Sequence, residues 1–243
     1  MFRLTMFALV VTAPARAQSP RVANPERPTV ATHAYPVAPG YLELEQGVRA
    51  QGSTSGRDFT SWEFNLKLGL APSVQIAAFG TGFVRGPAGS GPGDMGVALK
   101  LCRALGRQAA GAVVTAVTLP TGDHARGLGA GRPLGSVIGV ASVELPGGVH
   151  LDANAGPTAI GAGAPQGLAT ASFSRSLQQW TVSAELFEIT AGGAGPRQAG
   201  ALGALSWRAM AEVVIDAGGI AGLGAGSPNH LFAGVTTNFG RVF

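Results

Sequence analysis

The chain has 243 residues, of which 12% are charged and 46% are hydrophobic, and 38 are glycine. This length suits one sizeable domain or barrel, and the glycines follow no collagen period. Beyond the N-terminus no stretch offers the roughly 18 consecutive apolar residues of a helical membrane span. The single cysteine, Cys102, excludes an internal disulfide.

Residues 1–17 have the composition of a cleaved secretory signal peptide. Arg3 gives a positive start, residues 4–11 form a short apolar core, and residues 15–17 (Ala-Arg-Ala) form a cleavage site. The alternative, an anchoring helix, is too short to span a membrane. Cleavage reduces the basic residues from 17 to 15 against 13 acidic ones, so the formal net charge falls from +4 to +2. The high isoelectric point is therefore poor evidence for nucleic-acid binding, and no nucleic-acid partner is expected.

Residues 18–39 are polar, contain five prolines and show no hydrophobic period. This composition predicts an extended periplasmic lead-in rather than a domain. A different pattern starts at Gly40, where leucines at positions 42 and 44 alternate with Glu43 and Glu45. Alternation of this kind indicates the first strand of a sheet.

The clearest alternation runs from Phe59 to Leu70. Thr60, Trp62, Phe64 and three leucines occupy one parity, and mostly polar side chains, including Glu63 and Lys67, occupy the other. In a strand these two sets lie on opposite faces. At roughly 3.3 Å per residue the stretch reaches about 40 Å, enough to cross a bilayer core of about 30 Å on a tilted path. A long strand with one apolar and one charged face is typical of a transmembrane barrel.

Ten further stretches extend this pattern, which gives about twelve strands. They cover residues 74–83, 94–101, 109–119, 136–145, 149–156, 167–177, 180–189, 198–207, 211–217 and 231–239. Connections after even-numbered strands are short and those after odd-numbered strands are longer, as in outer-membrane barrels with both termini in the periplasm. The sequence therefore predicts an all-β fold, a closed antiparallel transmembrane β-barrel over residues 40–243 in the bacterial outer membrane. The C-terminal Phe243 predicts recognition by the barrel-assembly machinery, and lipid should surround the barrel.

The polar parity is expected to line the lumen. The candidate lumen residues are Glu43, Glu45, Arg49, Glu63, Asn65, Lys67, Asp94, Lys100, His150, Asp152, Asn154, Glu185, Glu212 and Asp216. Their excess of carboxylates predicts a mildly cation-favouring pore if the lumen is open. In the alternative, these side chains pair with one another and fill the interior, since a barrel of this size can hold either water or side chains. The facing of Ala109–Leu119 stays open because both parities are apolar.

No motif indicates catalysis, a cofactor or a metal. Gly91-x-Gly93-x-x-Gly96 precedes a strand and opens no helix, unlike a dinucleotide-binding loop. No nucleophile elbow and no zinc-binding histidine pair occur. His150 and Asp152 share a strand face and could form a general base with its orienting carboxylate, but a hydrogen-bonded pair in the lumen explains them without chemistry. The chain is expected not to be an enzyme.

Three short stretches resemble the family of outer-membrane transporters of the MetA-pathway phenol-degradation type. They are residues 26–28 with 39–47 (E-R-P and P-G-Y-L-E-L-E-Q-G), residues 91–100 (G-P-G-D-M-G-V-A-L-K) and residues 119–123 (L-P-T-G-D). The resemblance implies an outer-membrane barrel that passes small, often hydrophobic, molecules, and it supplies no catalytic residue. The low aromatic content of 7% departs from the strong aromatic girdle of many barrels.

Two functions fit this sequence. The first is a passive channel or transporter for small molecules. The second is a closed barrel with a structural or surface role, acting through the loops Pro120–Pro133 and Ala221–Pro228. These loops are short and poor in aromatic residues, which argues against an adhesive surface.

Overall fold

The computed structural model describes residues 20–52, 59–224 and 227–243. The predicted signal peptide at residues 1–17 lies outside these ranges. In the described part of the chain, no helix has the length and apolarity needed to cross a membrane.

The described chain consists almost entirely of strands, joined by turns and one short 3-10 helix at His124–Arg126. The strands are β1 (Tyr41–Gly52), β2 (Phe59–Ala71), β3 (Val74–Gly86), β4 (Gly89–Gly91), β5 (Met95–Ala104), β6 (Ala109–Leu119), β7 (Leu134–Leu145), β8 (Val149–Thr158), β9 (Gln166–Leu177), β10 (Trp180–Ile189), β11 (Gln198–Met210), β12 (Val213–Gly222) and β13 (Asn229–Arg241).

Twelve of these strands close into one antiparallel barrel. Each strand pairs with its neighbours in the chain, β3 pairs with β5, and β1 pairs with β13 to complete the ring. The three-residue β4 pairs only with the end of β3 and forms part of the connection to β5. The prediction of a closed barrel of about twelve strands is confirmed, and each of these twelve strands has a paired neighbour on both sides.

The connections differ in length at the two ends of the barrel. Strand pairs β2–β3, β5–β6, β7–β8, β9–β10 and β11–β12 are joined by two to four residues at one end, which also holds the start of β1 and the end of β13. We call this the terminal end. The longer connections, including residues 120–133, lie at the opposite end, the loop end.

Alternation along each strand decides which side chains face inward. In β2, Lys67 is 0% exposed, whereas Trp62 and Leu70 on the other parity are 40% and 42% exposed. The strand β6, whose facing the sequence leaves open, follows the same rule. Ala110 and Ala112 face inward, while Val113 and other outward side chains lie on the outer wall. The outer wall therefore carries the exposed apolar residues that a lipid-facing surface requires.

Outward-facing aromatic side chains gather towards both ends of the barrel. Trp180 and Trp207 stack across β10 and β11 near the terminal end, with ring centroids 6.0 Å apart. Trp62 lies towards the loop end, 5.9 Å from the ring of Phe64, and Phe83 is its cross-strand neighbour on β3. Indole and phenyl rings at these two levels suit the boundaries between lipid and water.

Candidate functional site: the lumen and the segment that fills it

The segment before the first strand lies inside the barrel. Residues 20–39, which we call the plug, fold into the terminal half of the lumen, and four of their apolar side chains are almost completely buried: Ala23, Ala31, Ala34 and Val37. The plug is extended and irregular, as its composition predicts. Its position against the inner wall of the barrel was not predicted.

A close backbone approach joins the plug to the barrel wall. Pro39 forms a β-bridge with Gly69, and Gly40 donates its N–H to the Gly69 carbonyl at 2.8 Å. A Cβ atom at residue 69 would lie 2.3 Å from the carbonyl oxygens of Val37 and Ala38. Only glycine fits at this point, because any side chain would collide with the backbone of the plug.

Carboxylates of the barrel wall accept hydrogen bonds from the plug backbone. Asn24 donates its backbone N–H to Glu43 at 2.8 Å, and Glu26 donates its own to Glu45 at 2.7 Å. At the far tip of the plug, the N–H groups of Val30 and Ala31 both donate to Glu185, each at 2.7 Å. These bonds satisfy donors that an extended segment cannot pair within itself.

Neutral polar side chains complete the fixation of the plug backbone. Thr32 exchanges two hydrogen bonds with the Asn154 amide, at 2.7 and 2.8 Å. Ala34 donates its N–H to the Ser142 hydroxyl, and Val37 donates its own to the Gln75 amide oxygen, both at 2.8 Å. The partners come from β3, β7 and β8, so one side of the ring holds the second half of the plug.

A group of five charged side chains binds the plug to β1, β2 and β5. The Lys67 ammonium lies 2.8 Å from Glu43 and also contacts Glu45, while Lys100 pairs with Glu26 of the plug. We call these five residues the charged cluster. Its members on the strands are at most 3% exposed, so each charge depends on its partners in place of water.

Two strands from β1 round the ring, Arg27 of the plug pairs with Asp216 of β12. Its guanidinium donates two hydrogen bonds to the carboxylate, at 3.0 and 3.2 Å, in the bidentate geometry that arginine favours. The Arg27 side chain is 18% exposed and that of Asp216 is 1% exposed. This pair fixes the first half of the plug against β12.

Apolar inner surfaces lie beside and beyond the plug. Ala34 and Tyr35 pack in a buried cluster with inward residues of β5, β6 and β7, including Cys102 and Val140. A second cluster on β11, β12 and β13 contains Leu202, Ile220 and Phe232, with Phe187 against it. This second cluster lies towards the loop end of the lumen, beyond most of the polar side chains that hold the plug.

The remaining predicted lumen residues have varied positions. Arg49 and Glu63 pair with each other at 3.0 Å, further towards the loop end, and Asn65 is half-buried on the inward parity of β2. Asp94 precedes β5 and accepts the N–H groups of residues 122 and 130, so it braces the 120–133 loop. Glu212 lies in the turn between β11 and β12, one position before the strand to which alternation assigns it.

His150 and Asp152 do meet, as their spacing predicts, but a third residue joins them. His150 Nε2 lies 3.0 Å from Asp152, and its Nδ1 lies 2.8 Å from Glu144. Because both ring nitrogens face carboxylates, the ring has no free nitrogen to act as a base. The Asp152 carboxylate also accepts a hydrogen bond from the Ser142 hydroxyl. The arrangement is that of a hydrogen-bonded network in the lumen wall. Among the described residues, no group of three or more His, Cys, Asp or Glu is placed to hold a metal ion.

A cavity opens at the terminal end between the two limbs of the plug. It has a volume of about 690 Å³ and is lined by plug residues, including Asn24 and Val37, and by the β2–β3, β5–β6 and β7–β8 connections. The plug therefore leaves the mouth of the barrel accessible and occupies the lumen deeper inside.

Comparison with solved structures places the fold among outer-membrane channels. The chain superposes on a COG4313 outer membrane channel from Pseudomonas putida F1 with a TM-score of 0.62 and 11% identity, over 85% of this chain and 98% of that one. It superposes on the KdgM porin with a TM-score of 0.58 and 7% identity, over 81% and 99% of the two chains. No family model and no curated protein matches the sequence. At these identities the similarity shows the fold alone, and the MetA-type resemblance stays a prediction.

The plug is the part of the site that sequence reasoning missed. It is held mostly through its own backbone N–H groups, which donate to side chains of the wall and which no residue pattern reveals. One signal was present. The predicted lumen carried more carboxylates than cations, and a proline-rich segment of about twenty residues preceded the barrel without a structure of its own. A segment with no hydrophobic period can still dock if the lumen supplies acceptors for its backbone.

The protonation of His33 should make plug docking depend on pH. Burial lowers the pKa of the His33 imidazole to about 4, from an ordinary value of 6.5; the Lys100 charge adds to this effect, while Glu26 and Asp152 oppose it. His33 therefore binds a proton more readily in the free plug than in the docked plug. Protonation favours the free plug, so docking weakens as pH falls from 6.5 towards 4. In the docked plug the charges of Lys100 and Lys67 outweigh the effect of burial and lower the pKa of the Glu26 carboxyl. Protonation of Glu26 below its ordinary pKa therefore also weakens docking. We expect current steps in planar bilayers to become more frequent across this range as the plug leaves the lumen.

The variant His33→Gln isolates the contribution of the imidazole. It should flatten the pH dependence between 6.5 and 5, where Glu26 remains ionised. The matched control is His124→Gln, since His124 lies on the exposed 120–133 loop. An unchanged pH profile in the His33 variant would show that this ring does not control docking.

Proposed function

We propose that the protein is a passive outer-membrane channel for small molecules, normally held closed by its own N-terminal plug. The observation that carries this proposal is a twelve-strand barrel whose lumen is filled by a non-covalently held segment instead of by wall side chains alone. A barrel without a transport role could fill its interior with wall side chains. A separate segment that occupies the lumen can move out of it, which suits a closed but openable pore.

The solutes that we propose are small and often hydrophobic or aromatic. The second apolar cluster, with Leu202, Ile220 and Phe232, makes part of the loop-end interior apolar, in keeping with such molecules. The resemblance to MetA-type transporters supports the same class. A solute entering from the loop end would then meet the apolar cluster first and the polar groups near the plug afterwards.

We place the loop end outside the cell and the terminal end in the periplasm. Short turns on the periplasmic side and longer external loops are the usual arrangement of outer-membrane barrels. Export through a cleaved signal peptide and insertion by the barrel-assembly machinery through Phe243 belong to the same proposal. The outward, 61% exposed side chain of Phe243 is available for such recognition.

Single-channel recording of the refolded protein in planar bilayers tests this function. We expect brief, discrete current steps from a plug that leaves and returns. Folding is established independently by the β-sheet circular dichroism of the same sample and by its heat-dependent mobility in gels. If folded protein stays silent, and a variant without the plug is also silent, the channel function is wrong.

The second candidate, a closed barrel that acts through its surface, is favoured by one observation. The loop at residues 120–133 is braced, because Asp94 accepts its backbone N–H groups and Arg126 donates to the Ser90 carbonyl at 3.1 Å. A pre-ordered loop lowers the entropic cost of binding a partner. Silence from folded protein, with and without the plug, would favour this role.

A further inference from the structure

A polar cleft remains open beside the plug, on the side of β8 to β12. Its volume is about 370 Å³, and its walls are the plug on one side and inward residues of these strands on the other. The wall is unusually rich in hydroxyl groups. Those lining the cleft are Ser172, Ser174, Ser176, Thr181, Ser183 and Ser206.

Three of these residues are buried, and their hydroxyls line the cleft without a protein partner. Ser172, Ser183 and Ser206 are 2%, 5% and 7% exposed, and no hydrogen bond joins their side chains to other described residues. Buried hydroxyls normally find a partner, because an unmatched one costs free energy. Hydroxyls that face a cavity without a protein partner are expected to hydrogen-bond to the molecule that occupies it, either water or a solute.

The hydroxyls continue along β9 beyond the cleft. The inward positions of this strand run from Ser176 at the terminal end through Ser174 and Ser172 to Thr170. The Thr170 hydroxyl is also buried and without a hydrogen-bond partner. We call these four residues the hydroxyl ladder. It extends past the level of the plug tip, since Ser172 lies opposite Glu185, to which the tip is bound.

Most charged groups around the cleft already have a partner in the protein. Arg27 pairs with Asp216, Asp152 lies between His150 and Ser142, and Glu26 pairs with Lys100. Arg208 donates to two backbone carbonyls. A cation entering the cleft would lose water without gaining an unpaired carboxylate among the described residues. Hydroxyl groups both donate and accept, so they match the hydroxyl groups of neutral polar solutes.

From these observations we infer that the hydroxyl ladder is a second, polar route, by which small neutral polyhydroxylated molecules pass while the base of the plug stays docked. The inference rests on the proposed channel function. The barrier on this route is the plug tip, where Val30 and Ala31 are bound to Glu185. Movement of the tip alone joins the cleft to the loop half of the lumen. The plug base, from Ala34 to Val37, remains bound to β3 and β7.

Two engineered disulfides separate movement of the tip from movement of the whole plug. In a Cys102→Ser background, the base lock combines Val37→Cys with Gln75→Cys, and the tip lock combines Ala31→Cys with Glu185→Cys. Both pairs join residues that hydrogen-bond in the native protein, at 2.8 and 2.7 Å. Oxidation is followed by gel mobility and mass. The readout is the swelling rate of proteoliposomes in L-arabinose, a neutral pentose.

We expect the oxidised base lock to keep the swelling rate of its reduced form. The oxidised tip lock should lose most of its rate and recover it on reduction with dithiothreitol. Loss of swelling in the oxidised base lock would overturn the inference, since the whole plug would then have to leave. If that happens while protein without the plug still conducts ions, only the polar route is wrong and the channel function stands.

Substitutions in the ladder test the role of the hydroxyls themselves. The double variant Thr170→Val and Ser172→Val should swell several-fold more slowly in L-arabinose. The matched control is Thr236→Val, because Thr236 is a fully buried lumen residue on β13 whose hydroxyl also has no hydrogen-bond partner and which does not line the cleft. Equal rates in the ladder variant and the control would contradict the polar route.

Discussion

Deletion of residues 20–38 should turn a channel that opens briefly into one that conducts continuously and at several times the current. The plug occupies the terminal half of the lumen, and nothing else among the described residues crosses the interior there. Removal leaves the ring of strand pairs intact, because the ring closes through pairs between strands alone. Single-channel recording at matched salt concentration measures the effect.

The same deletion should make the pore prefer cations. The inward faces of the described strands carry seven carboxylates, Glu43, Glu45, Glu63, Glu144, Asp152, Glu185 and Asp216, against four permanent cations, Arg49, Lys67, Lys100 and Arg208. Several of these carboxylates lose plug partners and become free to attract ions. The reversal potential in a salt gradient gives the selectivity, and a synthetic peptide of residues 20–38 should restore the block. Unchanged current and selectivity after deletion would show that the plug does not limit conduction.

The variant Lys67→Met should destabilise the barrel by about 3–5 kcal/mol, the typical cost of leaving buried charges without their partner. Lys67 is 0% exposed, and its ammonium lies 2.8 Å from Glu43 while also contacting Glu45. Methionine keeps most of the volume, so the loss reports the charge and not a cavity. The free energy of unfolding is obtained from urea titration of the protein in lipid vesicles.

A second variant distinguishes unpaired charge from general damage. Adding Glu45→Gln to Lys67→Met removes one of the two unpaired carboxylates and should recover part of the lost stability. The surface pair Arg197–Glu188 supplies the control: Arg197→Met breaks an exposed ion pair at 2.7 Å and should change stability by less than about 1 kcal/mol. An effect of Lys67→Met as small as that of the control would mean that water reaches the charged cluster.

The barrel was predictable because the alternation that indicates each strand lies within that strand's own residues. In β2, polar and apolar residues alternate strictly, and one face had to be buried, so register and facing follow from the sequence. Glycine and alanine weaken that signal in β6, whose facing needed the neighbouring strands. The residue Glu212 illustrates the usual limit at strand ends, where alternation continues into a turn by one residue.

The plug was not predictable on the same terms. Its contacts depend on backbone N–H groups of residues such as Val30 and Ala31, and any sequence offers these. Its charged side chains find partners far away in the chain, as Glu26 does with Lys100. Alternation therefore identified the wall of the site, while the structure was needed to identify what the wall holds.

The sequence separation of the plug contacts determines the order of assembly. Arg27 and its partner Asp216 are 189 positions apart, and Asn238 donates to the carbonyl of Pro20 across 218 positions. The N-terminal residues leave the ribosome first, yet their last partners are made only when β12 and β13 arrive. Closure of the barrel joins residues of β1 and β13 that are equally distant, and the plug contacts to β12 and β13 form only once these strands are in place. We therefore expect the newly inserted barrel to pass through an unplugged, leaky stage, and the docking of residues 20–38 to be the event that seals it.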